Sequence, residues 1–379
     1  MEKATVARSH AASALVKRKQ TMSKVLMKGN EAIAEAAIRA GCLNYFAYPI
    51  TPQSEVAEYL SWRMSEVDGV FLQGESEVAV GYMIFGAAGA GVRVFTTSSS
   101  PGISLMSEAI SYLCGAQLPA VFVNIMRGGP GLGGILPSQA DYFQATKGIG
   151  HGDCRLLVMA PASVQEVVEM VMMAFPLAEK YRNPVMILGD GLIGQMMEPV
   201  EFPEHLKSEP TNKDDWASNG MDFRKRDKRN LVRSLFLDPE KLNDNNLELR
   251  AKYERMKREE IRYEAYNTQG EYSVLIVSYG TMSRVCKTAI ETLKAEGIEV
   301  GLIRPQTLFP YPEIAVREAA RKSSCRAVLC IEMSMGQMVE DVERCVQGAR
   351  PVQWYGKCGG DVPTPEEIID LVKRTLSPM

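Results

Sequence analysis

Two carboxylates, an arginine and a threonine between prolines are the residues of this 379-residue chain whose settings suit chemistry. The stretch QGESEVAVGYMIFG places Glu75 and Glu77 at the start of a helical pattern. Two residues along a helix is a turn of about 200°, so the two carboxylates face different ways. Glu77 leads into the apolar run and is expected against apolar surface, whereas Glu75 suits solvent or the helix dipole. A carboxyl held among apolar groups has a raised pKa and can deliver a proton at neutral pH. From composition alone, however, a glutamate in a first helical turn is ordinary. RGGPGLGGILPSQ follows the apolar segment PAVFVNIM, which makes Arg127 the first residue out of a strand. That is the carboxyl edge at which open parallel sheets bind ligands. The following glycines leave room beside its guanidinium, which can grip a carboxylate through two nitrogens.

Two further segments carry hydroxyls at strand-to-helix junctions. TTSSSPGIS either forms a polar or anionic site from its hydroxyls and free N–H groups or, with Ser100 ahead of Pro101, simply caps the helix. In FAYPITPQSE, Pro49 restrains the exit from a short apolar run and Pro52 suits a first helical position, which leaves Thr51 at the N-cap. Position 54 is Ser rather than the Glu or Gln of a capping box, so the Thr51 hydroxyl either caps or faces a ligand. FGAAGAGVRVF is glycine-rich in the wrong order for a dinucleotide fingerprint, because its glycines end a helix and enter a strand. This disfavours a stand-alone nucleotide-dependent dehydrogenase. The three histidines form no nucleophile pair, and none of the eight cysteines is spaced as C-x-x-C for zinc or an iron–sulfur cluster.

The elements that must position these residues alternate. From Lys28 onward, short apolar runs alternate with helical patterns, which predicts parallel sheets covered on both faces and an α/β fold of two doubly wound domains. The first is expected over 26–198 and the second over 271–379. Between them, 199–270 is polar and charged, with a helix in LELRAKYERMKREEIRYEAY read as a solvated linker. Residues 1–25 carry six cations against one anion and read as a disordered arm, a start assigned too early or a transit peptide. A formal net charge of −3 gives no basic excess for nucleic acid, and no apolar run reaches the roughly 20 residues that span a bilayer. Cysteines within apolar runs read as small buried hydrophobes, which points to a reducing, cytoplasmic setting.

YPITPQSE at 48–55, ESEVAVGYMIFGAAGAG at 75–91, TSSSPGISLMSE at 97–108 and NIMRGGPGLG at 124–133 together resemble the α subunit of 2-oxoacid:ferredoxin oxidoreductases. The 2-oxoisovalerate, or branched-chain, type is the nearest likeness, and it extends from 26 to about 377. The resemblance implies a thiamine diphosphate pyrimidine-binding domain followed by a transketolase C-terminal-like domain, with LIRPQTLFP and IEMSMGQM in the second. It implies oxidative decarboxylation of a 2-oxoacid with coenzyme A and ferredoxin. Glu77 matches the glutamate that touches the aminopyrimidine N1′ and promotes its imino tautomer. Arg127 matches the arginine on the 2-oxoacid carboxylate. Thr51 lies where the family contacts substrate near the reacting carbon, Ser98, Ser99 and Gly102 line the pocket, and Tyr48 and Pro49 lie against the cofactor. GDG at 189–191 resembles half of a magnesium–diphosphate site, but the asparagine that should follow falls near Asn219 in polar linker, so it reads as a turn. Mg²⁺ and [4Fe-4S] clusters are therefore expected on partners: a β subunit carrying the diphosphate site, a γ subunit and a small ferredoxin-like subunit, with ferredoxin as acceptor. Arg127 as the main strand-end cation, with Lys147 as a remote second, leans towards an apolar substrate side chain. The alternatives are a 2-oxoglutarate-type α subunit and a non-catalytic scaffold.

Overall fold

The computed structural model describes residues 24–220 and 228–377. The expected N-terminal arm lies outside these residues apart from Lys24 and Val25. Fourteen strands are present among the described residues: β1 (Val25–Lys28), β2 (Asn44–Ala47), β3 (Val70–Gln73), β4 (Phe95–Ser98), β5 (Val121–Met126), β6 (Leu157–Met159), β7 (Val185–Asp190), β8 (Met197–Val200), β9 (Tyr263–Tyr266), β10 (Val274–Val277), β11 (Val300–Pro305), β12 (Thr307–Phe309), β13 (Ala327–Glu332) and β14 (Val352–Gly356). They form a seven-stranded sheet in the order β12-β6-β7-β5-β4-β2-β3, a five-stranded sheet β14-β13-β10-β11-β9 and the pair β1-β8. Both large sheets are parallel except at one edge, where β12 runs antiparallel to β6 and β9 antiparallel to β11. The α/β class is as the alternation of apolar runs and helices requires.

Burial explains the parallel pairing. Every residue of β5, β7, β10, β11 and β13 is buried, as expected of strands covered by helices on both faces. The covering helices start at ordinary signals. Ser163 caps Val164–Tyr181 by accepting from Glu166 N at 3.2 Å, and Thr364 with Glu367 makes a reciprocal capping box on Pro365–Leu376. The core runs on between the sheets. One buried cluster holds Phe122, Val158 and Leu188 of the first sheet together with Leu275, Ile303 and Cys330 of the second.

Three features depart from the sequence reading. The helix expected from Pro52 begins at Ser54, with Gln53 as its N-cap, so Thr51 does not cap it. β12, from the second half of the chain, closes the edge of the first sheet. The charged helix, Pro239–Glu259, stops short of Tyr263–Tyr266, which is strand β9 and not helix, and it is solvated on most of its surface but buries Leu249, Tyr253 and Met256 on one stripe. That stripe joins the cluster containing Phe175 and Tyr181 of the first unit. Spacings of four and three residues put those side chains on one helical face.

Candidate functional site

The carboxyl ends of β2, β3, β4 and β5 carry nearly all of the residues singled out above. Glu77 opens helix Glu77–Gly89, whose cap Ser76 accepts from Ala79 N at 3.2 Å. Glu77 is 7 % exposed while Glu75 lies in solvent, as expected but for another reason: the helix opens only at Glu77, so Glu75 precedes its cap and lies outside the helix. Among the described residues, no hydrogen bond or ion pair engages the Glu77 carboxylate. The reason it can lie so deep is Gly102, near the start of helix Ser100–Gly115. A Cβ there would fall 2.1 Å from Ser98 Oγ and 2.8 Å from Glu77 Oε1. Glycine at this position lets the helix start close over the carboxylate.

Buried polar atoms without partners occur at this contact and on the segments beside it. The hydroxyls of Thr96, Ser98 and Ser99 and Gln53 Nε2 are fully buried with no hydrogen-bond partner. Buried polar groups are ordinarily paired, and the unpaired Ser98 hydroxyl beside an unpaired carboxylate suits a missing ligand. Ser99 occupies the N-cap of helix Ser100–Gly115 but makes no capping bond. Ser100 is not the cap either. Its hydroxyl donates to Asp141 Oδ2 at 2.6 Å and accepts from Arg127 N at 3.0 Å. Asn124 completes the set by accepting from Ser100 N at 3.1 Å and donating to Asp141 at 2.9 Å. Burial pushes the Asp141 carboxyl up against the pull of these two donors.

Arg127 is buried and held from two sides. Nη1 donates to the Thr51 carbonyl at 3.0 Å and Nη2 to the Leu132 carbonyl at 3.2 Å, while Nε has no partner. The glycine loop it opens is closed on itself: Arg127 bridges Pro137, and Gly128 N donates to Leu136 O at 3.1 Å. Gln139 then ties the loop to the second sheet, donating to Tyr279 O at 2.9 Å and accepting from Met333 N at 3.0 Å.

The sequence-predicted residues thus fall into two linked groups. Glu77, Ser98 and Gly102 are in contact, and Arg127 reaches Thr51 through the Thr51 backbone. The Thr51 side chain is exposed and makes no hydrogen bond among the described residues. Tyr48 is half-buried against the core, and Pro49 is exposed. Lys147 is engaged elsewhere, ion-paired with Asp341 at 2.6 Å. GDG is a strand-to-helix junction and not a turn: Gly189 and Asp190 end β7, and Asp190 caps the short helix Gly191–Gln195 by accepting from Leu192 N and Ile193 N at 3.0 and 3.1 Å. Gln53, Asn124 and Asp141 were not anticipated. Asn124 gave a signal, as the one polar residue in the apolar run PAVFVNIM. Gln53 and Asp141 gave none, because their partners Thr97 and Ser100 lie far away in sequence.

Comparison with known proteins extends over both sheets. The family model described as pyruvate flavodoxin/ferredoxin oxidoreductase, thiamine diphosphate-binding, matches residues 35–265. The pyruvate:ferredoxin oxidoreductase core domain II matches 273–368. A ketoisovalerate oxidoreductase subunit, VorB, of Methanothermobacter thermautotrophicus is 47% identical, over 93% of this chain and 98% of its own. A 2-oxoglutarate synthase subunit, KorA, of Archaeoglobus fulgidus is 37% identical over 94% of this chain and all of its own. Among solved structures, the 2-oxoglutarate:ferredoxin oxidoreductase from Magnetococcus marinus, with 2-oxoglutarate, coenzyme A and succinyl-CoA bound, superposes with a TM-score of 0.81 at 25% identity. That match covers 94% of this chain and 66% of the other. A split-gene transketolase shares the fold at a TM-score of 0.59. No helix among the described residues is long and apolar enough to cross a membrane.

Proposed function

Because the chain belongs to the pyruvate flavodoxin/ferredoxin oxidoreductase family, as a 2-oxoacid oxidoreductase subunit with a thiamine diphosphate-binding region, we propose that it is the α subunit of a coenzyme A-dependent enzyme for branched-chain 2-oxoacids. The overall reaction converts 2-oxoacid, coenzyme A and oxidised ferredoxin into acyl-CoA, CO₂ and reduced ferredoxin. The observation that carries this reading is the unpaired Glu77 carboxylate, buried under Gly102 beside the orphaned Ser98 hydroxyl.

Bound thiamine diphosphate supplies the carbanion chemistry of decarboxylation. The residues here fit one end of such a molecule. Glu77 holds or exchanges a proton with a ring nitrogen, and burial keeps water from competing for it. The Ser98 and Ser99 hydroxyls supply hydrogen bonds that they lack within the chain, and Tyr48 and Pro49 form part of the wall. Arg127 spends Nη1 and Nη2 on backbone carbonyls and keeps Nε for a 2-oxoacid carboxylate, beside Thr51. The Asp141–Ser100–Asn124 network fixes the backbone of Arg127.

Partner subunits complete this half-site. Asp190 spends its carboxylate on a helix cap, so a diphosphate-bound Mg²⁺ is assigned to a β subunit and the [4Fe-4S] clusters to further partners. Exposed apolar side chains on the segments flanking the site, Val78, Tyr82, Leu105, Leu132, Ile135 and Leu136, suit coverage by another chain. Among the described residues, the loops at the carboxyl edge of the first sheet offer Arg127 and no unengaged second cation for a distal carboxylate, since Lys147 is paired with Asp341, which favours an apolar substrate side chain. The test is the complex purified with its natural partners and supplied with thiamine diphosphate, Mg²⁺ and coenzyme A. Branched 2-oxoacids should reduce a low-potential acceptor with a kcat/KM above those of straight-chain and dicarboxylic ones. Preference for 2-oxoglutarate would reject the substrate assignment, and no turnover with any 2-oxoacid would favour a scaffold role.

A further inference from the structure

Away from this site, the C-terminal turn of helix Ser100–Gly115 meets the segment leading into β6. Cys114 Sγ and Cys154 Sγ lie 2.7 Å apart and are both free thiols. A covalent S–S bond of ~2.0 Å would require a closure of about 0.7 Å. The two cysteines differ in access. Cys114 is buried, whereas Cys154 is partly exposed and lines a cavity of about 430 Å³. The cavity wall carries Arg155 and Arg250 against Asp153, with Lys147 paired to Asp341 and Lys257 to Glu254, which leaves the lining net positive. The backbone beside Cys154 is held in place, since Arg155 N donates to Tyr253 OH at 3.3 Å and Arg155 O accepts from Cys114 Sγ at 3.8 Å.

We infer that Cys114 and Cys154 are a reversible disulfide site, oxidised by an anionic low-molecular-weight disulfide that enters through this cavity. Cys154 is the attacking thiol. Its thiolate bonds to one sulfur of the small disulfide and expels the other as a thiolate. Cys114 loses its proton and attacks the Cys154 sulfur, which expels the second small thiolate. Two protein thiols are oxidised, one small disulfide is reduced to two thiols, and the two protons pass to solvent or to the released thiolates. Burial pushes the Cys114 thiol up and the neighbouring Cys154 adds to this, while the ammonium of Lys252 pulls the other way. Cys114 therefore suits the second, intramolecular step, in which proximity compensates for a small thiolate fraction. The crosslink would join the helix whose other end holds Gly102 against Glu77 to the strand segment beneath the charged helix.

The experiment treats the assembled native complex with glutathione disulfide at graded ratios to glutathione, quenches with N-ethylmaleimide and maps peptides by mass spectrometry. The expected product is a linked Cys114–Cys154 peptide pair, 2 Da lighter than the two thiol peptides, restored by dithiothreitol. Exposed Cys358 serves as the internal control and should stop at a mixed disulfide. In C114S, Cys154 should accumulate as a mixed disulfide, and C114A gives the same readout should the serine variant fail to fold. In C154S, Cys114 should remain alkylatable only after unfolding. A stable mixed disulfide on Cys154 in the wild type, both thiols unmodified while Cys358 reacts, or a crosslink formed only after denaturation would each overturn the assignment.

Discussion

At the scale of single residues, the site depends on a carboxylate with no partner and an arginine with one spare nitrogen. E77Q keeps the shape of the side chain and removes its acid–base function. It should lower kcat by about 10²–10⁴-fold while subunit assembly, followed by size-exclusion chromatography, is unchanged. Unaltered turnover would remove Glu77 from the chemistry. R127K keeps the charge but loses the planar fork that uses Thr51 O, Leu132 O and a free Nε together. One charged hydrogen bond of about 1.5–3 kcal/mol is at stake, so KM for the 2-oxoacid should rise roughly tenfold or more. A shift confined to kcat would instead mean that Arg127 positions the loop. The burial of Glu77 ahead of an apolar run and the placement of Arg127 at a strand end were legible in the sequence because both are local patterns, although the helix starts at Glu77 and leaves Glu75 outside it. The Thr51 cap was misread for a non-local reason. Gln53, at the N-cap, accepts through its side-chain oxygen from the Thr97 hydroxyl on β4, and the helix begins two residues later than Pro52 suggested.

At the scale of elements, polar contacts decide how the linking segment is attached. Glu179, on helix Val164–Tyr181, ion-pairs with Arg93 and Lys213, each at 2.8 Å, and all three side chains are nearly inaccessible. Burial pulls the Glu179 carboxyl up, but the two cations outweigh it and hold it below its ordinary range. Its folded value lies below its unfolded one, so its contribution is fully present above about pH 4.3 and is lost as pH falls through the folded value. E179Q strands two buried cations and should destabilise the chain by about 3–5 kcal/mol at pH 7 in urea unfolding. The gap between variant and wild type should narrow below about pH 4; a pH-independent gap would mean that packing, not charge, is responsible. This triad was invisible in the sequence, where Arg93, Glu179 and Lys213 sit in three unrelated segments. The stripe Leu249, Tyr253 and Met256 was visible as sparse apolar positions, but nothing local shows whether a partner covers them.

At the scale of the whole molecule, the alternation of strands and helices was readable throughout because each buried strand is a short apolar run. The short strands β1, β8 and β9 were not, the last lying in a segment read as helix, and nor was β12, since three residues cannot display a period and their pairing with β6 is antiparallel. That strand and the shared core make the two sheets one folding problem. A chain ending at 270 lacks β12 and uncovers the side of the cluster that Tyr279, Ile303 and Leu308 fill. Such a fragment should be insoluble or show no cooperative thermal transition by circular dichroism; a sharp transition near that of the full chain would indicate independent domains. The same pairing has a bearing on synthesis at the ribosome. β6 is complete at Met159, but its outer neighbour begins only at Thr307. At about 5–20 residues per second, the nascent chain waits on the order of 7–30 s with a sheet edge unpaired. Over that interval the growing polypeptide presents the open strand edge that chaperones shield and misassembly exploits, so the tempo of translation bears on the yield of this subunit.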